Sequence, residues 1–341
     1  MANVPLAEKI ALFEDPRTFP DRPERIESIE THFAWIFLSP RFAYKLKKPI
    51  RFGSIDFRNA EARRAYCELE VTLNRRLAEG TYLRVVPVVA AAGGLRVDGT
   101  GEAVDTVVEM RRLPDGASLA DVGRSSSLGD ADLAAIVRKL LAFYARTPVA
   151  PWDGPQYVEA LVRFSRQHLA LVVGADAPTV EHGISPELVE RIASAQLDVV
   201  ERHRHALERR AADGRVVDAH GDLRAEHVFL TEPPQIIDCL EFSIGLRWLD
   251  TAEEVAFLAL DCDRRGIVGA GERLLAAYRQ HSKDEVEEPL LGLYRSRRAL
   301  ARAVLAAWRV PEAGADAELW RARARWYLDA AFESIAAASG G

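Results

Sequence analysis

The chain has 341 residues and a formal net charge of −6, with 48% hydrophobic and 28% charged residues. That length holds one large two-lobed domain or two ordinary ones, and the mild acidity argues against broad nucleic-acid binding, which needs a basic face. Cys67, Cys239 and Cys262 match neither a zinc spacing nor a disulfide framework, no stretch approaches the roughly 18 apolar residues of a membrane span, and "MANVPLAEKIALFEDP" is unlike a signal peptide, so a cytoplasmic protein without a membrane or nucleic-acid partner is expected.

In chain order, "AEKIALFED" predicts a short helix, broken by prolines at 16, 20 and 23. "ERIESIETHFAWIFLSPRFAYKLKKPI" reads as strands, with Ala34–Leu38 apolar, "SPR" a turn, and Phe42–Lys47 alternating. In that last strand Phe42, Tyr44 and Leu46 share one face, and Ala43, Lys45 and Lys47 the other. Ala62, Tyr66, Leu69, Leu73 and Leu77 recur at helical spacing between about 58 and 78. "YLRVVPVVAAAGGLRV" and "AVDTVVEMRRL" read as two strands, with "AAGG" as the turn. The polar "RRLPDGASLADVG" marks a boundary, giving domains 1–112 and 113–341.

Beyond it the pattern is mostly helical: "DADLAAIVRKLLAFYAR", "PQYVEALVRFSRQHLALVV" and "SPELVERIASAQLDVVERHRHALERR", the last with Ser at the cap and Pro at the first position. An irregular patch follows, where "RVVDA", "HVFL" and "PQIIDCLEF" are short apolar runs. From Asp250 onward helix resumes. Strands and helices do not alternate throughout, so a Rossmann pattern is excluded, and neither "GxGxxG" nor "GxxxxGK[ST]" occurs.

The irregular patch concentrates chemistry. In "HGDLRAEH", Asp222 follows "HG" on a turn between apolar runs, where a carboxylate can orient or deprotonate a hydroxyl nucleophile. His227 lies five residues on, and Asp238 closes the apolar "QII". A base on one loop and a carboxylate on the next turn are what a magnesium–nucleotide site needs. Upstream, Lys45 in "AYK" is placed to reach phosphates beside the small Ala43, with Lys47 and Lys48 as rivals. Glu70 on the following helix is placed to brace it, with Glu68 as rival.

The order A-x-K, helix glutamate, apolar hinge, "HGDL" and "IID", with "ETHFAWIFL", "FAYKLKKPI", "CELEVTLNRRL" and "IIDCLEF", resembles the aminoglycoside phosphotransferase family over nearly the whole chain. That family shares the protein-kinase-like fold with the choline kinases. The resemblance implies an α+β, two-lobed fold with a small antiparallel-sheet N-lobe and a larger, mostly helical C-lobe. It implies Asp222 as catalytic base, Asp238 as holder of Mg²⁺, Lys45 on the phosphates of ATP and Glu70 as its brace. Val108–Arg111 would be the hinge, with Glu109, Met110 and Arg111 against adenine, and Asp250 and Glu254 would fix the catalytic loop.

Three departures stand out. His227 occupies the position where the family has asparagine, so either metal binding is modified or Glu241 supplies an oxygen. No glycine-rich loop precedes Lys45, leaving Thr31 and His32 to cover the phosphates. "IIDCLEF" lacks the glycine of the kinase "DFG". His220 reads as a loop brace, His227 as metal neighbour or loop stabiliser, Arg224 as substrate contact or surface charge, and Cys239, Trp35 and Trp248 as buried. The expected activity is ATP- and Mg²⁺-dependent phosphorylation of a small hydroxylated acceptor such as an aminoglycoside, sugar or amino alcohol. The alternative is a nucleotide-binding pseudokinase serving as a regulatory module. A protein kinase is disfavoured by the lack of an "APE"-like segment. The acidic "SKDEVEEP" reads as a solvated charge run.

Overall fold

The computed structural model describes residues 4–52, 55–125, 128–173 and 180–340. The chain forms two compact units, Met1–Asp121 with Glu226–Leu246, and Val122–Ala225 with Arg247–Gly341. The division therefore lies at Asp121 rather than Arg112, and the later segment 226–246 packs with the first unit.

The first unit opens with α1 (Leu6–Glu14), followed by β1 (Glu27–Glu30), β2 (Ala34–Leu38), β3 (Phe42–Lys47), and the short pair β4 (Arg51–Phe52) and β5 (Ile55–Asp56). Helix α2 (Ala60–Asn74) comes next, then β6 (Tyr82–Ala91), β7 (Gly94–Val97) and β8 (Glu102–Arg111). Where two strands were expected between residues 82 and 113 there are three. "AAGG" is a hairpin turn pairing Ala91 with Gly94, and the left-handed φ of 113° at Gly94 suits a residue without Cβ. The six-stranded antiparallel sheet has the order β1-β2-β3-β8-β6-β7.

Alternation in β3 sets the architecture. Tyr44 and Leu46 join Phe13, Phe37, Val86 and Val107 on one face. Ala43 joins Cys67, Val71, Tyr82, Val108 and Met110 on the other, beneath α2. Asn59 caps α2 by accepting the Glu61 N–H at 2.8 Å. One charged knot lies inside this unit. Buried Asp105 on β8 accepts from Lys9 at 2.6 Å and from Arg63 at 2.9 and 2.7 Å, tying α1 and α2 to the sheet.

The second unit is helical: α3 (Leu119–Arg124) leads into it, followed by α4 (Asp130–Tyr144), α5 (Gly154–Val173), α6 (Pro186–Arg202) and α7 (Arg204–Ala212). Ser185 caps α6 through the Leu188 N–H at 3.2 Å, with Pro186 at its first position. Strand β9 (Val216–Asp218) follows; β10 (Val228–Phe229) and β11 (Gln235–Ile236) belong to the first unit; β12 (Trp248–Asp250), α8 (Thr251–Arg264), α9 (Ala270–Ser282), α10 (Glu288–Arg309) and α11 (Ala317–Ser339) complete the second. The apolar runs flanking "HGDL" do not pair with each other: β9 pairs with β12, and β10 with β11. Cys67, Cys239 and Cys262 are buried free thiols, whereas Trp35 and Trp248 are only partly buried. Among the described residues, no helix is long and apolar enough to cross a membrane.

Candidate active site

In the first unit β3 and α2 bring opposite charges together. Lys45 Nζ lies 2.7 Å from Glu70 Oε1 and 2.7 Å from Asp238 Oδ1. Strand periodicity puts Lys47 on the same face, and its Nζ lies 2.6 Å from Glu70 Oε2 and 2.6 Å from Glu241 Oε1. The two lysines share Glu70 and divide the other acids, Asp238 going to Lys45 and Glu241 to Lys47. Lys47 is sealed in, and Lys45 reaches the more open Asp238, whose side chain is 40% exposed. Glu70 is buried completely, while Glu68 is 57% exposed and faces Arg64.

The electrostatics follow from this packing. Burial alone would lower the Lys45 pKa, but Asp238 and Glu70 drive it well above the ordinary lysine value. Burial likewise opposes ionisation of Glu70, and the two lysines overcome it, holding its carboxyl below the ordinary range. For Glu241 burial wins, assisted by the Glu70 charge, and its carboxyl is pushed up despite Lys47.

Asp238 sits at a left-handed φ of 63°, an uncommon conformation for a non-glycine residue. Its neighbours fix that turn: the Asp238 N–H donates to the Tyr82 hydroxyl at 3.2 Å and the Cys239 N–H to Asn74 Oδ1 at 2.8 Å, while Asn74 in turn donates to the Glu70 carbonyl at 2.9 Å. His227 Nε2 lies 3.5 Å from Asp238 Oδ2. The three groups expected to ligate a metal are not gathered. Glu241 is turned onto Lys47, and among the described residues no group of three His, Cys, Asp or Glu is assembled that would hold an ion by itself. The open carboxylate of Asp238 still fits Mg²⁺, which needs only one or two carboxylates when phosphate oxygens and water supply the rest.

The remaining candidates take the following places in the first unit. Glu109, Met110 and Arg111 are not a connecting hinge but the end of β8, paired with β3 and, through Glu109 and Met110, with β6. The Arg111 N–H donates to Thr81 O at 2.8 Å. Pairing of Arg111 with Phe42 carries the ladder that far, so the connecting segment begins at Arg112. The Glu109 carboxylate accepts from Tyr44 and Arg84, both at 2.6 Å. Thr31 and His32 form the β1–β2 turn, where the Thr31 hydroxyl donates to the Ala34 carbonyl at 2.8 Å and accepts the Ala34 N–H at 3.0 Å. The His32 ring stands edge-on to Phe33.

In the second unit "HGDL" is a loop held by its main chain. The Glu254 carboxylate on α8 accepts the His220 N–H at 3.1 Å and the Gly221 N–H at 2.7 Å, and Tyr144 donates to it at 2.8 Å. Gly221, at φ 88°, makes this turn possible. Arg298 on α10 donates to the Gly221 carbonyl. Buried His220 accepts the Asp222 N–H on Nδ1 at 3.3 Å, and the Ala225 N–H donates to Asp261 at 2.9 Å. Asp250 caps α8 through the Ala252 N–H at 2.8 Å and is bound by Arg210 and Tyr294. The loop thereby presents the Asp222 carboxylate, 19% exposed, with Arg224 Nε at 3.1 Å and Arg302 Nη1 at 3.4 Å. Arg298, Arg302 and Asp261 went unnoticed in the sequence, since arginines and acids on amphipathic helices carry no motif.

No family model matches the sequence. Uncharacterized proteins of Mycobacterium tuberculosis and Mycobacterium bovis are 33% identical over 298 residues, 86% of this chain and 57% of theirs. The chain thus spans a little over half the length of the curated relatives it matches. Choline kinase LicA from Streptococcus pneumoniae superposes with a TM-score of 0.55 at 13% identity, covering 97% of this chain and 99% of that one; LicA in complex with AMP gives 0.52. A choline/ethanolamine kinase family protein from Mesorhizobium loti gives 0.52 at 15% identity, covering 98% and 100%. The fold is protein-kinase-like. This establishes the α+β architecture that the resemblance implied: an antiparallel sheet with α2, and a helical remainder.

Proposed function

We propose that the chain is an ATP-dependent O-phosphotransferase acting on a small hydroxylated molecule. The observation that carries the reading is the convergence of Lys45 on Glu70 and Asp238, from three separate sequence segments. A lysine held charged by a buried glutamate is a ready partner for nucleotide phosphates, and the similarly folded LicA takes AMP. On this reading Lys45 exchanges Asp238 for phosphate oxygens, and Asp238 becomes free to hold Mg²⁺, with His227 beside it. The ion would supply charge neutralisation at the phosphates. Asp222, fixed by its main-chain anchors, orients the acceptor hydroxyl and takes its proton.

A pseudokinase reading has two observations in its favour. His227 replaces the asparagine of the related motif, and the Asp222 carboxylate is already engaged by Arg224 and Arg302. Calorimetric titration with ATP, with and without Mg²⁺, separates the two when combined with turnover on sugars, aminoglycosides and amino alcohols. The kinase reading expects Mg²⁺-dependent binding and transfer, with Asp222→Asn lowering turnover about 10²- to 10⁴-fold while ATP affinity holds. Tight Mg²⁺-independent binding without transfer to any acceptor supports the pseudokinase, and full activity in Asp222→Asn removes the base assignment.

A further inference from the structure

The surroundings of Asp222 are unusually rich in guanidinium groups. Arg224 and Arg302 contact the two carboxylate oxygens, and Arg298, one turn before Arg302 on α10, donates to the Gly221 carbonyl. The Arg264 guanidinium lies 5.7 Å from the centre of the Tyr327 ring, and that buried tyrosine feels the charges of Arg302, Arg264 and Arg224 against that of Asp261. The opposing acids are largely committed. Asp261 is bound by Arg264, Arg265 and the Ala225 N–H, and Glu254 by two loop N–H groups and Tyr144. Burial pushes the carboxyls of both Glu253 and Glu254 up, toward the neutral form. Arg224, Arg264, Arg265, Arg298 and Arg302 outnumber the acids Asp222, Asp261, Glu253 and Glu254, although burial also lowers the Arg298 pKa.

A second observation is independent of that balance. The Nε of Arg302 is buried with no hydrogen-bond partner among the described residues, although the side chain as a whole is 23% exposed and Arg224 18%. A desolvated guanidinium N–H lacking an acceptor is unfavourable, and the planar fork suits a carboxylate or phosphate better than any other partner. A purely structural role, fixing the Asp222 rotamer, would call for one arginine rather than two and would leave this donor unexplained.

We propose that the acceptor carries an anionic group, a carboxylate or a phosphate, beside the hydroxyl that Asp222 orients, and that Arg302 and Arg224 bind it. This deepens the phosphotransferase reading and rests on it. The acceptor oxygen forms a bond to the γ-phosphorus, the bond from that phosphorus to the bridging oxygen of ATP breaks, the hydroxyl proton passes to Asp222, and ADP leaves with a phosphate monoester formed on the acceptor. When the acceptor anion draws the two arginines toward itself, the Asp222 carboxylate is released for the hydroxyl.

The test uses matched acceptors with Mg·ATP: glycerate against glycerol, glucose 6-phosphate against glucose, and choline as the cationic control. The expected result is that kcat/KM for at least one anionic member exceeds that of its uncharged counterpart by tenfold or more. Arg302→Gln should then raise KM for that acceptor at least tenfold with a much smaller change in kcat, and Arg302→Lys should restore part of the loss. Preference for glycerol, glucose or choline overturns the proposal, as does an unchanged acceptor KM in Arg302→Gln. Should none be phosphorylated, calorimetric titration with glycerate and glucose 6-phosphate decides: binding weakened tenfold by Arg302→Gln supports the anion site, and no binding by either rejects it. Failure of the phosphotransferase reading is seen separately, as wild-type protein that neither binds nor consumes ATP while still binding these anions.

Discussion

The two charged centres of this molecule are built on opposite plans. In the first unit side chain holds side chain: Lys45 is paired with Glu70 and Asp238, and Lys47 with Glu70 and Glu241, so that each lysine is set between two carboxylates. In the second unit side chains hold main chain: Glu254, Arg298 and Asp261 grip the amides and carbonyl of the loop, and the carboxylate of Asp222 is left to arginines at its edge. The first plan fixes charges in place. The second fixes a backbone so that one side chain can change partners. Loss of a member should therefore be felt as altered electrostatics in the first unit and as misplacement in the second.

The largest expected effects break the first centre, and they should split by lysine. Lys45→Met removes the group nearest the open Asp238. It should lower kcat/KM for ATP about 10²- to 10³-fold, the scale of losing one preorganised charge at a phosphoryl site, with a smaller loss of stability than Lys47→Met, since Lys47 still pairs with Glu70. Lys47→Met removes a sealed cation and leaves Glu241 buried beside Glu70. It should cost about 3 kcal/mol of unfolding free energy, with a smaller effect on turnover. Urea denaturation and steady-state kinetics on both variants check this. Equal effects of the two substitutions on stability and on kcat/KM would mean the division of labour is wrong.

That division was only half legible in the sequence. Alternation in "FAYKLK" placed Ala43, Lys45 and Lys47 on one face, and the packing agrees, because a six-residue strand leaves no freedom of register once Tyr44 and Leu46 are buried. Glu68 stayed a rival to Glu70 in the sequence, and nothing there said that Glu70 would be buried and take both lysines. That β8 runs on to Arg111 was not legible, because strand ends are set by pairing partners, which the sequence does not display. The loop anchors divide in the same way. Asp250 and Glu254 were implied by the family resemblance, whereas Arg298 and Arg302 act from a helix some 75 to 80 residues further on, a tertiary relation without local signature. Trp35 and Trp248, expected inside, are partly exposed, as large aromatics often are.

The second centre is broken more gently, at its main-chain grip. Glu254→Ala leaves the His220 and Gly221 N–H groups without their acceptor, and two unsatisfied buried donors cost about 2–4 kcal/mol. Asp222 would keep its identity but lose its station, so turnover should fall about tenfold or more while the ATP dissociation constant stays near the wild-type value. Calorimetric ATP binding measured beside kcat distinguishes this from general collapse. A variant with normal kcat would show that the loop holds its shape without α8.

The smallest effect sharpens the comparison, because the two plans predict opposite dependence on pH. Glu70 is held below its ordinary value of 4.5 by the lysines in spite of burial. Its contribution to stability is present above about pH 4.5 and is lost as the pH falls through the lower folded value. Glu254 is pushed up by burial, more than its backbone and Tyr144 hydrogen bonds pull it down. Its contribution has the reverse sign, present below about pH 4.5 and lost as the pH rises through the folded value. Glu70→Gln should therefore be destabilising by about 2 kcal/mol at neutral pH, with the gap to wild type closing on acidification. Glu254→Gln should move the other way, its stability relative to wild type improving from acid toward neutral pH, since an amide does not have to ionise in that buried position. Urea midpoints taken from about pH 3.5 to 7 read both slopes. Parallel slopes in the two variants would mean that burial, rather than the choice of partner, governs both carboxylates.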